Sequence, residues 1–533
     1  MHTTVFSGAI VGIDGLVVET EVDISRGIPT FSIVGLPNTA VRESRERVTA
    51  AIKNSGWDFP LERITVNLAP ADVKKEGSAF DLGIAIGILI ASTQAELSED
   101  IRQRLDRTIF LGELALDGAL RKVPGVLPVL LHARKRGFES AVVPKGNFGE
   151  SSIATGIEVY GCQRLVDAVG ALIPEAVPKD MELCEGDCIH ATAASAEMTT
   201  SHLPARGDGF DMREVRGQES AKRAFLVAAA GGHHILVVGP PGSGKTMLAR
   251  RFPTILPPMS GRAALETTMI YSIVGLLGGR GMIVQCPFRA PHHSASDAGL
   301  IGGGPVPRPG EVTLAHNGVL FLDELPEFKR HVLETLREPL EDGRITISRA
   351  RCAVTFPARF QLVAAMNPCP CGYMGSADYQ CRCSPMQVEK YLARISGPLL
   401  DRISMNVTVR AVEIEALRGD PDGDSSATLR DLATRAREIQ RRRLAGSQGI
   451  VDSESIASNS LIPESAFRDF CPMDVDAEEL LFDAQKRLRI SARGRAHVAR
   501  VARTIADLDD RERIAVHHVA EAIQYRIRDI SRY

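Results

Sequence analysis

The sequence predicts an α/β protein in which helices cover a mainly parallel sheet. Short apolar runs alternate with stretches of helical spacing through most of the 533-residue chain. The run His233–Val238 leads through a glycine-rich turn into a helical pattern, and the run Val319–Leu322 is apolar at every position. A strand without polar alternation is typical of a parallel sheet with both faces covered. The two runs therefore favour a buried central sheet in the middle of the chain.

Residues 1–175 form the first predicted domain, which is itself α/β. Alternation predicts its strands, and apolar residues at helical spacing predict its helices. The helix Asp81–Ile90 is apolar nearly all round, which predicts a buried position, and its apolar stretch is far too short to span a bilayer. The predicted elements are strands at Val17–Ile24, Ile64–Leu68, Phe110–Leu120 and Ala141–Val143, and helices at Thr39–Ser55 and Asp81–Ile90.

Residues 176–210 predict a flexible linker. The run from Pro178 to His202 is polar, acidic and rich in Ala, Ser and Thr, a composition that buries little apolar surface. Cys184, Cys188 and His190 lie within it. Because these three residues are loosely spaced in a segment with the composition of a flexible linker, we do not expect them to form a metal site.

Residues 211–410 form the second predicted domain, which carries a phosphate-binding loop. The pattern G-x-x-x-x-G-K-T between a strand and a helix aims backbone N–H groups and a helix N-terminus at phosphates. Lys245 is expected to reach the outer phosphates of ATP, and the Thr246 hydroxyl to ligate Mg²⁺. The expected loop consists of Gly239, Pro240, Pro241, Gly242, Ser243, Gly244, Lys245 and Thr246.

Polar side chains follow two further apolar runs of this domain. Asp323 and Glu324 come directly after Val319–Leu322. At the tip of a strand, Asp323 is expected to hold Mg²⁺ through water, and Glu324 to activate the attacking water as general base. Asn367 ends the run Phe360–Met366, where its amide is expected to align that water or touch the γ-phosphate.

A glycine-containing insert and a basic hairpin surround the acidic pair. The segment Phe288–Gly304 holds a His pair and a glycine run that does not lie between a strand and a helix, so we expect neither a metal site nor a second phosphate loop. Two alternating runs around residue 350 predict a β-hairpin, with basic side chains at Arg344, Arg349 and Arg351.

Four cysteines follow Asn367 within one short stretch. Two C-x-C pairs, at Cys369 and Cys371 and at Cys381 and Cys383, predict a structural Zn²⁺ site in a loop over residues 369–383. Reduced free thiols are the alternative, because C-x-C spacing is less diagnostic than paired C-x-x-C.

Residues 411–533 predict a helical lid. Helices are expected at Leu429–Arg443, from Ser491 through Leu508 and at Val516–Ile527. Arg402, just before this region, is positioned to act as an arginine finger on a neighbouring subunit's nucleotide, with a surface salt bridge as the alternative.

Composition limits the partners and the compartment. The net charge is −3, so any nucleic-acid surface must be local rather than global. The N-terminus has no signal-peptide pattern and no run is long enough for a membrane span, so the sequence predicts a cytoplasmic protein without a membrane partner. In that compartment the ten cysteines are expected to be reduced or bound to metal.

The first domain resembles the Lon protease domain. Lys75–Asp81 followed by an apolar helix is similar to the region that carries the Lon serine, and Gly112–Gly118 is similar to the strand pair before the Lon lysine. Ala79 stands where the serine belongs and Leu127 where the lysine belongs; Ser78 is one residue off. The resemblance implies a Lon-like (ribosomal S5 domain 2-like) fold without protease activity, because a nucleophile without an activating base is inert.

The whole chain resembles the ComM/YifB family of magnesium-chelatase-like AAA+ proteins. The resemblance rests on GPPGSGKT, Phe288–Gly304, VLFLDELPEF, AAMNPCPCGY, SGPLLDRI and ARTIADL. It implies an AAA+ core with a helix-2 insert and a presensor hairpin, a hexameric ring of identical subunits, and arginines supplied in trans. Gln218 matches the segment that packs on adenine, unless it is a plain helix start, and Arg493 matches the lid arginine that senses ATP.

For such a protein the family implies an ATP-driven DNA helicase. It drives branch migration on single-stranded or branched DNA during recombination of incoming DNA in natural transformation. Two alternatives stay open: a magnesium-chelatase motor with a protein partner, and a protein-remodelling or Lon-like proteolytic ATPase. The Lon-like front and the cysteine cluster argue against the first, and Ala79 and Leu127 against the second.

Overall fold

The internal contacts of the chain divide it into two units. One unit contains Met1–Ser201 together with Ala264–Ile283, and the other contains His202–Ala263 together with Val284–Tyr533. The predicted ranges 1–175, 176–210, 211–410 and 411–533 stay predictions. The structure is a computed structural model that describes residues 1–71, 75, 77–92, 97–181, 188–191, 200–201, 209–278, 281–304, 307–349, 352–375, 379–411, 423–445 and 458–526.

The first unit is built on an eight-stranded mixed sheet. Its strand order is β10-β9-β8-β5-β1-β2-β4-β3. The pairs β1–β2, β2–β4 and β9–β10 are antiparallel, and the remaining neighbours are parallel. Strands are numbered in chain order, and those of this unit are β1 (His2–Val11), β2 (Asp14–Ser25), β3 (Thr30–Val34), β4 (Arg63–Ala69), β5 (Thr108–Phe110), β6 (Glu113–Leu114), β7 (Leu120–Arg121), β8 (Ser140–Pro144), β9 (Glu158–Cys162), β10 (Cys188–Ala191), β11 (Thr200–Ser201) and β13 (Met282–Ile283).

Helices of the first unit bury the sheet as the sequence predicts. Asp81–Ala91 is buried at every position except Ile90, in agreement with its apolar composition. The Asn38 side chain accepts a hydrogen bond from the Val41 N–H and so caps the helix Thr39–Asn54. The helices are Thr39–Asn54, Asp81–Ala91, Glu99–Leu105, Val126–Lys135, Phe148–Ser151 and Leu165–Leu172.

Strand β10 corrects part of the linker prediction. Its four residues pair with β9 in antiparallel register, from Cys188 opposite Cys162 to Ala191 opposite Val159. The unpaired edge of β9 supplies the hydrogen-bonding partners that composition alone does not reveal. Cys184 lies outside the described residues.

A piece of the later chain completes the first unit. The helix Gly261–Ile273 begins among residues of the second unit, and from Ala264 onward it belongs to the first. Leu265 and Met269 pack against a buried cluster of the first unit that contains Leu127 and Val129. The Ser272 hydroxyl donates to the Glu150 carboxylate at 2.5 Å.

The second unit contains a five-stranded sheet of order β14-β17-β20-β12-β21, and all its neighbouring pairs are parallel. Two small antiparallel hairpins, β15–β16 and β18–β19, accompany it. The strands are β12 (Ile235–Val238), β14 (Phe288–Arg289), β15 (Gly302–Gly303), β16 (Arg308–Pro309), β17 (Val319–Leu322), β18 (Arg344–Arg349), β19 (Cys352–Pro357), β20 (Gln361–Met366) and β21 (Met405–Thr408).

The six longest helices described in the second unit share one hydrophobic core with this sheet. Ser491 caps the helix Ala492–Leu508, as predicted, by accepting a hydrogen bond from the Gly494 N–H. The helices are Glu219–Gly231, Lys245–Ile255, Asp297–Leu300, Glu311–Leu314, Arg330–Glu334, Arg337–Asp342, Pro385–Leu392, Gly397–Arg402, Ser426–Ala445, Phe467–Phe470, Val475–Arg487, Ala492–Leu508 and Val516–Gln524.

The strand order explains where polar side chains meet. Because β17, β20 and β12 are parallel neighbours, their carboxyl ends lie at one edge of the sheet. Asp323, Asn367 and Gly239 directly follow these three strands. In open parallel sheets this edge is where ligands bind, at the point where the strand order reverses.

Candidate nucleotide site

The phosphate loop has the backbone that its glycines permit. Gly242 and Gly244 have φ angles of 77° and 88°, which disfavour a side chain, and a Cβ there would meet nothing within 4 Å. Gly239 is needed for a different reason, since its Cβ would lie 2.3 Å from the Val409 carbonyl oxygen. The loop is therefore open toward a ligand and closed against the neighbouring strand.

Lys245 is held inside this loop. Its ammonium donates to the carbonyls of Gly239 and Pro240, both at 2.8 Å, and to the Asn367 side-chain oxygen at 3.1 Å. Burial lowers the pKa of Lys245, and the charges of Asp323 and Glu324 oppose that shift. A cation kept in a desolvated loop favours an anionic ligand.

The two expected Mg²⁺ ligands lie side by side. The Thr246 hydroxyl donates to an Asp323 carboxylate oxygen at 2.8 Å. The other Asp323 oxygen accepts from the Glu324 N–H at 3.0 Å. Hard oxygen donors of this kind suit Mg²⁺.

Glu324 has an uncommon backbone conformation. Its φ is 51°, in the left-handed region, which carries strain for a residue with a Cβ. The His293 Nδ1 lies 3.4 Å from a Glu324 carboxylate oxygen, and both side chains are partly exposed. The insert segment thus contributes a side chain to the expected general base.

The cysteine loop packs against the phosphate loop. A Cβ on Gly372 would lie 2.6 Å from Cδ of Pro241 and 3.7 Å from Cγ of Asn367. Gly372 has a φ of 85° and donates its N–H to the Cys369 carbonyl at 3.0 Å. The turn that holds the cysteines therefore touches two of the expected nucleotide-site residues.

The four cysteines themselves converge. The sulfur atoms of Cys369 and Cys371 are 3.4 Å apart, and those of Cys369 and Cys381 are 3.7 Å apart. The Cys371 N–H donates to the Cys383 sulfur at 3.4 Å, so all four thiols belong to one cluster.

Gln218 lies beside the end of β21. It precedes the helix Glu219–Gly231 with a φ of 60°, and its side-chain amide donates to the Arg410 carbonyl at 2.5 Å. Its expected role at adenine stays a prediction.

Arg402 and Arg493 meet at one carboxylate. Glu341 accepts from both guanidinium groups, with Arg493 at 2.7 Å, and these hydrogen bonds, led by that of Arg402, lower the pKa of Glu341. The two arginines line a cavity of about 400 Å³ together with Arg337 and Asp401. Within the described part of the chain, neither arginine contacts a phosphate-loop residue.

The basic hairpin forms where the sequence predicts it. Arg344–Arg349 pairs with Cys352–Pro357, and Arg344 and Arg349 are exposed while Ile345 and Ile347 are buried. The Arg349 guanidinium lies 3.2 Å from where a Gly303 Cβ would be, so the hairpin and the insert are adjacent. Arg351 lies outside the described residues.

Sequence reasoning missed His293 and Glu341. The sequence predicts no metal site at the His pair, and the structure gives His293 a contact with the Glu324 carboxylate that the pattern does not reveal. Glu341 is one acidic residue in the short helix Arg337–Asp342, and no local pattern marks it. Only its place opposite two arginines, 61 and 152 residues later, gives it a role.

The residues at the Lon-like positions of the first unit have different kinds of partner. The Ser78 hydroxyl donates to the Glu113 carboxylate. Ala79 packs against the buried cluster that contains Leu127, which is fully buried. Among the described residues, no lysine is recorded as a hydrogen-bonding partner of Ser78.

Known proteins match this chain over nearly its full length. It is 43% identical over 525 residues to the competence protein ComM of Haemophilus influenzae, which covers 98% of this chain and 97% of that protein. It is 41% identical to the protein YifB of Escherichia coli over 98% of this chain and 97% of that protein. A magnesium-chelatase 67 kDa subunit of Chlorobaculum tepidum is 27% identical over 29% of this chain and 23% of its own length.

Three family models also match. The model of magnesium chelatase subunit ChlI covers residues 211–417, a second model of subunit ChlI covers residues 20–147, and the ChlI C-terminal model covers residues 423–526. Within the described residues, no helix combines the length and the apolar character needed to cross a membrane.

Proposed function

Because the chain belongs to the ComM/YifB family of magnesium-chelatase-like AAA+ proteins, we propose that it is an ATP-driven ring motor that moves DNA and promotes branch migration in recombination during natural transformation. One observation carries the ATPase part of this proposal. Two hydrogen-bonded pairs, Lys245 with Asn367 and the adjacent Thr246 with Asp323, lie together at the carboxyl edge of the parallel sheet.

The loop residues bind and orient the triphosphate. Lys245 exchanges its two carbonyl acceptors for phosphate oxygens, which are charged and therefore stronger acceptors. Thr246 and Asp323 hold Mg²⁺, which neutralises charge on the phosphates when it is bound. The all-oxygen donor pair fits this ion.

The reacting water lies between two strand ends in this proposal. Glu324 accepts its proton, and Asn367 orients it once Lys245 turns toward phosphate. Before the nucleotide binds, His293 fixes the position of the Glu324 carboxylate.

Arg402 and Arg493 act on the nucleotide of a neighbouring subunit. Their shared partner within the chain is Glu341, a carboxylate that stands in for the phosphate they are expected to contact. Family resemblance implies a homohexameric ring with sites between subunits, in which the two arginines would exchange Glu341 for a phosphate of the neighbouring site.

The cysteine cluster holds structural Zn²⁺. In a tetrahedral site with Zn–S bonds of about 2.3 Å, sulfur atoms lie about 3.8 Å apart. The sulfur atoms of Cys369, Cys371 and Cys381 are 3.4 to 3.7 Å apart, which is close to that distance. Zinc well below one atom per chain in protein purified without chelator would contradict this site.

Arg344, Arg349 and Arg351 grip the phosphates of a DNA strand. Two of the three are exposed on a hairpin in a protein whose net charge is negative, so they concentrate positive charge locally. The first unit, with Ala79 and Leu127 at the Lon dyad positions, acts in this proposal as a protease-inactive Lon-like domain, and the helices after residue 411 act as the lid.

Steady-state ATP hydrolysis with and without single-stranded and forked DNA, at two salt concentrations, tests the proposal. Glu324→Gln is the control because it keeps the phosphate loop and removes the base. Salt-sensitive stimulation that this variant abolishes supports a DNA motor, and Arg344→Ala with Arg349→Ala should then weaken both DNA affinity and its salt dependence.

Hydrolysis indifferent to DNA would leave the ATPase proposal standing and contradict the DNA partner. The similarity to a magnesium-chelatase subunit, together with the ChlI family models that match residues 20–147, 211–417 and 423–526, favours a motor with a protein partner in that case. ATP-dependent degradation of casein would instead support the proteolytic alternative.

A further inference from the structure

Two cysteines lie directly opposite each other at the edge of the eight-stranded sheet. Cys162 ends β9 and Cys188 begins β10, and the register pairs them across the antiparallel ladder. Their sulfur atoms are 2.9 Å apart. Cys162 is fully buried, whereas Cys188 is partly exposed.

This geometry is close to that of a disulfide. Residues directly opposite each other in an antiparallel pair have Cα atoms about 4.5 to 5.5 Å apart, inside the range of about 4.4 to 6.8 Å that disulfides need. The sulfur atoms must approach by only about 0.9 Å to reach a bond length of about 2.0 Å. The bond therefore forms without moving the strands.

The two thiols differ in reactivity. The hydrogen bond between the two sulfur atoms lowers the pKa of Cys188. The same contact, together with burial, raises the pKa of Cys162. The exposed partner is therefore the nucleophile, and the buried partner resolves the intermediate.

We propose that Cys162 and Cys188 form a reversible disulfide by exchange with a low-molecular-weight disulfide such as glutathione disulfide. The Cys188 thiolate attacks one glutathione sulfur, so a mixed disulfide forms and one glutathione leaves as thiolate. Cys162 then loses its proton to that thiolate or to solvent and attacks Cys188 Sγ, which expels the second glutathione. The protein loses two electrons and two protons, and glutathione disulfide gains both.

The bond fixes the edge of the sheet. Among the described strands, β10 pairs with β9 alone. Its Cys188 packs against the buried cluster of the first unit, and its His190 stacks on Tyr160 and pairs with Glu158. A disulfide closes the loop between residues 162 and 188 covalently. By holding β10 on β9, the bond should slow any separation of the two strands that proteolysis between residues 162 and 188 requires.

Peptide mapping of the full-length protein tests the proposal. The native protein is equilibrated in glutathione buffers of increasing oxidised fraction, quenched with acid, alkylated and digested. We expect the Cys162–Cys188 linked peptide to accumulate at ratios at which Cys286 and Cys471 stay reduced. Those two are internal controls, because burial raises the pKa of each to about 11.

Two variants separate the steps. Cys162→Ser should accumulate glutathione on Cys188, since the resolving thiol is gone, whereas Cys188→Ser should leave Cys162 unmodified. The oxidised wild-type protein should resist cleavage between residues 162 and 188 roughly tenfold longer than the reduced protein. Folding of each variant is checked by its far-UV circular dichroism.

Three results overturn the proposal. One is Cys188 that stays reduced in excess glutathione disulfide while the protein is folded. Another is Cys188 linked to Cys184 or to the cysteine loop instead of Cys162. The third is metal found at the pair that blocks exchange until a chelator removes it. None of these outcomes depends on ATP hydrolysis, so they leave the proposed motor untouched.

Discussion

Two regions of this chain resemble enzyme active sites, and they differ in what their side chains contact. In the second unit, Lys245 donates to Asn367 and Thr246 donates to Asp323, so charged and polar groups from three strand ends meet. In the first unit, Ser78 contacts Glu113, and the matching Lon positions carry Ala79 and Leu127, which belong to an apolar cluster.

The difference is one of free-energy cost. Lys245 is 9% exposed, and burial lowers its pKa, so the phosphate loop keeps a charge where the fold disfavours one. Glu324 adds backbone strain at a φ of 51°. At the Lon dyad positions of the first unit, Ala79 and Leu127 carry no charge, so their packing requires no desolvation of a polar group. The proposed nucleotide site therefore keeps a buried cation at a position that matters for its chemistry, which the Lon dyad positions do not.

The largest expected effect comes from Lys245→Met. Removal of the phosphate-loop cation should lower ATP turnover by at least about 100-fold, as loss of a transition-state contact does. The melting temperature should stay the same or rise, because methionine has a volume similar to that of lysine and carries no charge that must be buried. Arg250→Met, at an exposed position of the same helix, is the control and should change neither quantity. A marked loss of stability in Lys245→Met would contradict the view that burial of the Lys245 charge costs the folded protein free energy.

The next prediction concerns whether one chain supplies all residues of the nucleotide site in the second unit. Lys245→Met and Arg402→Ala should each be inactive, and an equimolar mixture should regain about one quarter of the activity. Random assembly gives that fraction of interfaces an intact Lys245 and an intact Arg402 from different subunits. A mixture as inactive as its components, despite mixed rings in native mass spectrometry, would mean that Arg402 acts within its own chain.

Mild acid should separate the two units by stability. Burial lowers the pKa of His233 to about 3 and of His234 to about 4, so stability from these groups is present above pH 6.5 and lost as pH falls toward those values. At pH 5.5 each costs the second unit about 1 kcal/mol.

In the first unit, buried carboxyl groups make the free energy of unfolding change with pH in the opposite direction. Burial raises the pKa of Asp81 and Glu150, so their unfavourable ionised forms are removed as pH falls. Hydrogen exchange at pH 7.5 and 5.5, corrected for the intrinsic rate, should therefore show loss of protection first in the second unit. His234→Asn should reduce that pH dependence, and equal losses in both units would contradict the comparison.

The smallest effect is expected for Ser78→Ala. Loss of one hydrogen bond to Glu113 should cost at most about 1 kcal/mol and leave ATP turnover unchanged. Glu113→Gln serves as the matched change on the other side of the bond. A peptidase activity that disappears in Ser78→Ala would restore this region as a working site and end the contrast between the two.

Local patterns in the sequence predict much of this fold and site. The strands before Gly239 and Asp323 are apolar throughout, the strand before Asn367 is apolar after Gln361, and the helix at Asp81 is apolar nearly all round, so their burial can be predicted from the sequence. The hairpin after Arg344 follows from alternation.

What the sequence could not predict depends on pairing between distant segments. Strand β10 exists because the edge of β9 is free, although its composition resembles a linker. Glu341 matters because Arg402 and Arg493 converge on it from other helices. The cysteine pair at 162 and 188 follows from strand register, which no spacing rule supplies.

The helix Gly261–Ile273 has a consequence for how this protein can be divided or inherited. Its residues from Ala264 onward fill the first unit, where Leu265 and Met269 cover apolar side chains and Ser272 satisfies the Glu150 carboxylate. A fragment that stops at Ser201 lacks that plug and leaves a buried carboxylate without its hydroxyl partner. The two units are thus interleaved in the gene, and neither can be exchanged between proteins by a single recombination event.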